Sequence, residues 1–291
     1  MKLECVDLSK KYGNFTALNH INYTFSEGVY GLLGPNGAGK STWMKILTAS
    51  LRQTEGNVMW EGTEISELKQ EYVASVGYVP QNQNLFLYFT GREFLYYMAA
   101  LKGVGKHVAD QQIPSLLKRV NLSSMGDKKI GTYSGGMKQR LLIIQAFLGN
   151  PQVIFMDEPT AGLDPKERIR IRNLIAEMAI DKIVLIATHV VSDIEFISKD
   201  ILLMKKGEMI GNGSADQWED RLEGLVFESD VEAERLQEFL STHLVAAMRK
   251  ERERIIVRYI GDKEDGAVHV RPTLDDVYLY HFREEESHDL E

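Results

Sequence analysis

The first 33 residues alternate short apolar runs with polar turns, a pattern typical of β-strands. Turn residues stand at Tyr12-Gly13-Asn14 and at Ser26-Glu27-Gly28. A hairpin is predicted at 56–62, where two glycines bound a short strand-type segment. Further strands are predicted at 29–33, 73–80, 153–156 and 183–187.

Stretches with apolar residues at helical spacing lie between these strands. One helix is predicted to begin with the apolar positions of 43–47. Residues from about 86 to 149 change character and contain helix-compatible stretches at 90–101 and 111–120, and a further helix is predicted at 165–179. Strand, helix and parallel strand in this order imply an α/β sheet that is interrupted by a helical insertion.

A domain boundary is predicted near residues 211–214, where glycine and polar residues cluster. We expect a first domain over 1–215, with its helical part at about 86–149, and a small α+β appendage over 216–291. In the appendage, strands are predicted at 225–227, 254–260 and 268–270, with a helix at 231–240. The last residues, 284–291, are acidic and expected to be frayed.

The composition is that of a folded chain with one substantial core: of 291 residues, 44% are hydrophobic and 26% charged. With 34 basic against 42 acidic residues the net charge is −8, which argues against a general nucleic-acid binder. Cys5 is the single cysteine, so no internal disulfide is expected and a reducing compartment fits. No signal-peptide stretch opens the chain, and no apolar run approaches the ~20 residues of a membrane span. We therefore expect a soluble, cytoplasmic protein.

A glycine-rich loop stands between the predicted strand 29–33 and the helix that follows it. Its glycines let backbone N–H groups approach the phosphates of a nucleoside triphosphate, and the helix adds the positive end of its dipole. Lys40 is expected to reach the β- and γ-phosphates, and the Ser41 hydroxyl to bind the Mg²⁺ that bridges them. The alternative is an incidental glycine-rich turn, but the flanking strand and helix favour nucleotide binding. The predicted phosphate loop consists of Gly34, Pro35, Asn36, Gly37, Ala38, Gly39, Lys40, Ser41 and Thr42.

The predicted strand 153–156 leads into two carboxylates, Asp157 and Glu158. A buried strand with charged residues where it meets solvent is the simpler interpretation. Because a phosphate loop precedes it, Asp157 is instead expected at the ligand edge of the sheet, where it can hold Mg²⁺ through water. Glu158 points differently and is expected to polarise the attacking water as a general base.

These motifs, with four others in the same order, resemble the ATP-binding subunit of a bacterial ABC transporter over residues 1 to about 215. The resemblance implies a P-loop NTPase (RecA-like) α/β sheet with an N-terminal antiparallel β subdomain, an inserted α-helical subdomain and a small C-terminal α+β appendage. The other matching segments are Tyr-Ser-Gly-Gly-Met-Lys-Gln-Arg at 133–140, Val-Pro-Gln at 79–81, Ala-Gly-Leu-Asp at 161–164 and Thr-His at 188–189.

In the family, the segment corresponding to Ser134, Gly135 and Gly136 meets the ATP that the other subunit holds. The resemblance therefore implies a head-to-tail dimer, either a homodimer or a heterodimer with a similar ATPase subunit, with two nucleotides sandwiched between the protomers. The simpler interpretation of this segment is a glycine-rich helix N-cap. A cap uses the same atoms as the ligand site, so both interpretations can hold. Departures from the family pattern are Met137 for glutamine, Tyr133 for leucine and Ala161 for a frequent serine.

The remaining roles follow from the same resemblance. Gln81 is expected at the metal and the attacking water, although a plain loop glutamine is the alternative. His189 is expected to hydrogen-bond the γ-phosphate and hold the water, and Asp164 to act across the dimer seam. Tyr12 is expected to stack on adenine, unless it is an ordinary hairpin aromatic.

Such an ATPase must act on a separate transmembrane permease, since no span of its own is predicted. Surplus aromatic residues at 85–97 would suit a groove for a helix of that permease, although they could equally be core. The opening of the phosphate loop and residues 271–279 resemble the exporter branch of the family. The alternatives are an importer ATPase, a soluble ABC ATPase acting on ribosomes or DNA, and a P-loop kinase.

Overall fold

The computed structural model describes residues 1–81, 85–252 and 254–283, so the predicted frayed tail lies outside the described part of the chain. The chain divides into two compact units, one ending at Ile210 and one beginning at Gly211. Among the described residues, no helix combines the length and the apolar character that a membrane crossing requires.

The first unit contains two sheets. An antiparallel sheet has the order β2-β1-β4-β5, and a six-stranded sheet has the order β10-β9-β3-β8-β7-β6, in which β9, β3, β8, β7 and β6 run parallel. The strands are β1 Lys2–Tyr12, β2 Phe15–Ser26, β3 Gly28–Leu33, β4 Glu55–Trp60, β5 Thr63–Glu64, β6 Val76–Val79, β7 Val153–Asp157, β8 Ile183–Thr188, β9 Asp200–Lys205 and β10 Glu208–Gly213.

Seven α-helices join these strands within the described part of this unit, and three of them, α4 to α6, make up the helical insertion. They are α1 Lys40–Leu47, α2 Ile65–Leu68, α3 Gln70–Ala74, α4 Gly91–Leu101, α5 Lys106–Arg119, α6 Gly135–Ala146 and α7 Pro165–Met178. This arrangement confirms the predicted α/β class. The strand predicted at 73–80 was wrong at its start, because Val73 and Ala74 end α3 and pairing begins only at Val76.

The central strands β7 and β8 are buried at every position, as expected for parallel strands that are covered on both faces. The core lies between the two sheets and is filled by α1, whose Trp43 and Ile46 are completely buried. Trp43 Nε1 donates to Cys5 Sγ at 3.3 Å. In the β7–β8 register Asp157 lies opposite Ala187, so the carboxyl ends of both strands reach the same sheet edge.

The second unit has a sheet of order β12-β13-β11-β14 with antiparallel pairs. Its elements are α8 Ala215–Asp220, β11 Val226–Val231, α9 Leu236–Thr242, β12 Leu244–Glu251, β13 Arg254–Ile260, β14 Val268–His269 and α10 Leu274–Phe282. The helix predicted at 231–240 was wrong at its start, because Val231 pairs with Ile255 as the last residue of β11.

The segment 271–279, which resembles the exporter branch, builds the start of α10. Thr273 caps the helix, and its Oγ1 donates to Asp276 Oδ2 at 2.9 Å. Asp276 is 1% exposed and accepts from Arg258 Nε of β13 at 3.0 Å. Arg258 also donates to the carbonyl of Arg271 at 2.7 Å. These contacts fasten α10 to the sheet, which gives the segment a structural role inside this unit.

Candidate functional site

The glycine-rich loop joins β3 to α1 and closes around its own lysine. Gly39 has a φ of +106°, which favours glycine, and a Cβ there would lie 2.6 Å from the carbonyl of Ala17. A Cβ on Gly34 would lie 2.3 Å from the carbonyl of Met204. Lys40 Nζ is buried and donates to the carbonyls of Gly34 and Pro35, at 2.5 and 2.9 Å. The loop backbone is therefore tightly constrained, and it surrounds the positively charged ammonium of Lys40.

A cavity of ≈ 250 Å³ opens at this loop. Two carboxylates and a glutamine line it together with the loop, so the structure brings together three predicted parts of the site that are far apart in sequence. The lining residues are Phe15, Ala17, Asn36, Gly37, Ala38, Gly39, Lys40, Ser41, Thr42, Gln81, Asp157 and Glu158.

Asp157 ends β7 and is buried. Burial raises the pKa of this carboxyl, whereas a hydrogen bond with the Ser41 side chain lowers it and the neighbouring Glu158 raises it further. The Ser41 hydroxyl and the Asp157 carboxylate thus form an adjacent pair of hard oxygen ligands. Among the described residues, no group of three or more His, Cys, Asp or Glu could hold a metal. The pair fits Mg²⁺, which is bound by few protein ligands and completes its shell with phosphates and water.

Glu158 has a left-handed backbone with a φ of +49°, and its side chain is 5% exposed. Oε1 lies 2.7 Å from His189 Nδ1, and Oε2 accepts from Thr188 Oγ1 at 3.3 Å. The two residues that end and follow β8 therefore contact both oxygens of this carboxylate.

Four predicted site elements lie outside the cavity lining: the segment at Ser134, Asp164, Tyr12, and His189, which contacts Glu158 instead. Gly34 and Pro35, the first residues of the phosphate loop, are also outside it. Ser134 caps α6, accepting from the N–H of Met137 at 3.3 Å, and Asp164 caps α7, accepting from the N–H of Glu167 at 3.0 Å. Both capping residues are exposed. Tyr12 is 48% exposed, with Lys10 Nζ 5.1 Å from its ring centroid.

Phe15 is a cavity residue that the sequence analysis missed. It pairs with Tyr12 across the β1–β2 hairpin, so the two rings lie on the same face of the sheet. Phe15 is 63% exposed although it lines the cavity. The aromatic surface next to the phosphate loop thus contains two residues.

The departure at Tyr133 has a structural explanation. Its ring is buried in the helical insertion, and Oη donates to the carbonyl of Met125 at 2.6 Å. A Cβ on Gly91 would lie 2.3 Å from this hydroxyl, so the glycine makes room for the tyrosine. Nothing in the structure explains Met137 or Ala161.

Comparisons with known proteins agree with this geometry. A sequence model of the family described as ABC transporter matches residues 18–161. The ABC transporter ATP-binding protein YxlF of Bacillus subtilis is 33% identical over 239 residues, which cover 82% of this chain and 79% of that protein. The Nod factor export ATP-binding protein I of Rhizobium sp. is 34% identical over 217 residues, covering 73% and 70%. This chain spans only 26% of the length of ABC transporter A family member 8 of Dictyostelium discoideum, at 37% identity over 72% of the chain.

A solved structure shows the same fold. The dimeric bacterial ABC transporter cassette MJ0796 superposes with a TM-score of 0.65 at 26% identity, covering 73% of this chain and 98% of the cassette. A second dimeric structure of that cassette is a post-hydrolysis state bound to ADP and Pi, with the same TM-score and coverage.

Proposed function

This chain belongs to the ATP-binding proteins of ABC transporters and is an ATPase, and we propose from that membership that it powers export through separate transmembrane permease subunits. The observation that carries ATP binding and hydrolysis is the joint lining of one cavity by the phosphate loop, Gln81, Asp157 and Glu158. We propose that residues 1–215 are the ATPase domain and 216–291 a C-terminal extension.

In this proposal the phosphate loop binds the triphosphate of ATP through its backbone N–H groups and Lys40. Adenine stacks on the aromatic pair Tyr12 and Phe15, a contact worth about 1–3 kcal/mol per base. Ser41, Asp157 and Gln81 would hold Mg²⁺, which would supply positive charge to neutralise the phosphates.

Glu158 acts as the general base for the water that attacks the γ-phosphate. Its Oε1 lies 2.7 Å from His189 Nδ1, so His189 must leave this oxygen before the oxygen can accept a proton from water. Once released, His189 can hydrogen-bond the γ-phosphate. One side-chain movement would then free the base and engage the phosphate together.

We further propose a head-to-tail dimer with a similar ATPase subunit, which places Ser134, Gly135 and Gly136 against the ATP of the other protomer. The support is their position: Ser134 and Gly135 are exposed, and neither lines the cavity of its own chain. Exposed donors at the start of the 12-residue helix α6 suit a phosphate. Asp164, exposed at the start of α7, lies at the same seam in this proposal.

Ser134→Arg tests the shared site. The arginine should block the sandwich, so specific ATPase activity should fall at least tenfold and no longer rise with protein concentration. Binding of a fluorescent ATP analogue to the monomer should stay within about twofold, because Ser134 is outside the chain's own cavity. Ser124→Arg, exposed in the same helical insertion, is the matched control. Parental turnover in Ser134→Arg would contradict the shared site.

The permease is proposed to dock in a groove of ≈ 770 Å³ between the parallel sheet and the helical insertion. Val73, Pro80, Met98 and Leu101 supply its apolar lining. Lys102 lies at its base, where its Nζ donates to the carbonyl of Ala146 at 2.9 Å and burial lowers its pKa to about 8. Gln145, also in the lining, donates to the carbonyl of Tyr78 at 2.8 Å.

Exposed aromatic residues also lie at the start of the insertion. Phe86 stacks on Phe89, while Tyr88 is 88% exposed. Such a groove suits an amphipathic helix. Through it the ATPase would sit peripherally on the inner face of the membrane. Export is favoured over import by the likeness to a protein named for Nod factor export.

Purification from detergent-solubilised membranes tests this assignment. We expect the tagged chain to bring down a subunit with several membrane spans, and the pair reconstituted in vesicles to move substrate outward on ATP addition. Leu101→Asp should reduce the yield of that subunit without changing ATPase activity, and Ile169→Asp, exposed on α7, serves as control. Ribosomal or nucleic-acid material in place of a membrane subunit would contradict the proposal. Transport in the inward direction would show that the chain powers import and not export.

A further inference from the structure

A second buried carboxylate lies behind Glu158, and the roles proposed above do not use it. Asp193 ends a short 3-10 turn after His189 and is 5% exposed. Its Oδ2 accepts hydrogen bonds from Thr160 Oγ1 and, at 3.4 Å, from Thr188 Oγ1. Asp193 thus contacts the segment that follows Glu158 and the residue that precedes His189.

The hydroxyl of Thr188 is shared between the two carboxylates. It lies 3.3 Å from Glu158 Oε2 and 3.4 Å from Asp193 Oδ2, and it accepts from the N–H of Val190 at 3.0 Å. A threonine has one hydroxyl hydrogen, so Thr188 can donate to only one carboxylate at a time. When it donates to Asp193, Oε2 of Glu158 keeps its lone pairs for another donor.

The segment that carries Glu158 is also held from both sides. The N–H of Glu158 donates to the carbonyl of Ala187 at 2.9 Å, and the carbonyl of Pro159 accepts from Gln139 Nε2 at 2.7 Å. Asp193 adds the bond to Thr160. A glutamate keeps a left-handed backbone only when its surroundings hold it there, and these bonds supply that support.

We propose that Asp193 is a positioning residue for the hydrolytic carboxylate. Asp193 accepts the hydroxyl hydrogen of Thr188 in place of Glu158. Its hydrogen bond from Thr160 also fixes the segment that follows Glu158. Without the Thr188 hydrogen bond, and once His189 has left Oε1, Glu158 is the better acceptor for the proton of the attacking water. This inference rests on the proposed function, because it takes Glu158 to be the base.

Asp193→Asn is the first test. A neutral amide competes for the Thr188 hydrogen less well than a carboxylate does, so the hydrogen should turn to Glu158 and occupy its Oε2. We expect kcat to fall roughly tenfold, the size of one hydrogen bond to a charged group. The KM for ATP and the affinity for a fluorescent ATP analogue should stay within about twofold. Asp181→Asn, at the opposite end of β8, should keep the parental kcat.

A suppressor variant separates positioning from general support. Thr188→Val keeps the shape of the side chain and removes the contested hydrogen but leaves the Thr160 contact, so Asp193→Asn should lower kcat much less in the Thr188→Val background than in the parent. A purely structural Asp193 would give additive losses. Additive losses, or a parental kcat in Asp193→Asn, would overturn the proposal.

Two further measurements distinguish a failure of this proposal from misfolding of the variant and from a wrong assignment of the base. Thermal unfolding shows whether Asp193→Asn is folded; if it is not, Asp193→Glu, which keeps the charged acceptor, replaces it and should retain a kcat within about threefold. A kcat for Asp193→Glu reduced as far as that of Glu158→Gln would overturn the proposal. Glu158→Gln is assayed alongside. Parental turnover there refutes the base assignment itself, whereas an inactive Glu158→Gln with a parental Asp193→Asn refutes only the positioning role.

Discussion

Glu158→Gln is expected to lower ATP turnover by about 10²–10⁴, the usual contribution of a well-placed general base. The amide has nearly the same shape as the carboxylate but cannot accept the proton of the attacking water. ATP binding should persist, because the phosphate loop and Asp157 are unchanged. The variant should therefore hold ATP between two protomers without hydrolysing it, and size-exclusion chromatography with ATP should show a dimer.

Glu177→Gln is the matched control for this variant. Glu177 lies on α7, its side chain is 61% exposed, and it does not line the cavity. Its turnover should equal that of the parent. Unreduced ATPase activity in Glu158→Gln would show that another group accepts the proton. A variant that stays monomeric with ATP would count against the dimer alone.

Lys40→Ala is expected to weaken ATP binding by about 10²-fold or more, since removing one member of a buried, hydrogen-bonded charge pair costs roughly 2–5 kcal/mol. Lys40 is buried inside the phosphate loop, and in the proposed function its ammonium binds the phosphates of ATP. Turnover should fall with binding. Titration with a fluorescent ATP analogue measures the affinity, and circular dichroism shows whether the loop variant is folded.

Lys45→Ala separates this effect from a change in overall charge. Lys45 lies on the same helix, is exposed and does not line the cavity. Its affinity for ATP should remain within about twofold of the parental value. Equal losses in both variants would mean that the loop lysine has no special contact with the nucleotide.

The parts of this fold that could be predicted share one property: each is encoded by a pattern of neighbouring residues in the sequence. The strands that became β7 and β8 are continuous apolar runs, because both of their faces are covered. The phosphate loop combines several glycines with a lysine at a fixed spacing, and its neighbours are a strand and a helix. Such patterns can be recognised without knowledge of the tertiary structure.

The features that escaped prediction depend on distant partners. The strand β12, Leu244–Glu251, is half exposed and charged at its end, so its residues show no clear alternation. Phe15 joins the site only because the hairpin register sets it beside Tyr12. Asp193 is an isolated carboxylate in sequence, and only folding brings Thr160 to it. Hairpin register and tertiary contacts of this kind cannot be derived from composition or spacing.

Helix α6 has a mechanical consequence. It begins beside Ser134, binds the carbonyl of Pro159 through Gln139, and ends at Ala146, whose carbonyl accepts from Lys102 in the proposed docking groove. At about 1.5 Å per residue its 12 residues form a rod of roughly 18 Å. In the proposed dimer, a displacement of the start of α6 by the ATP of the other protomer would be carried along this rigid helix to the proposed docking groove, with no loop in between.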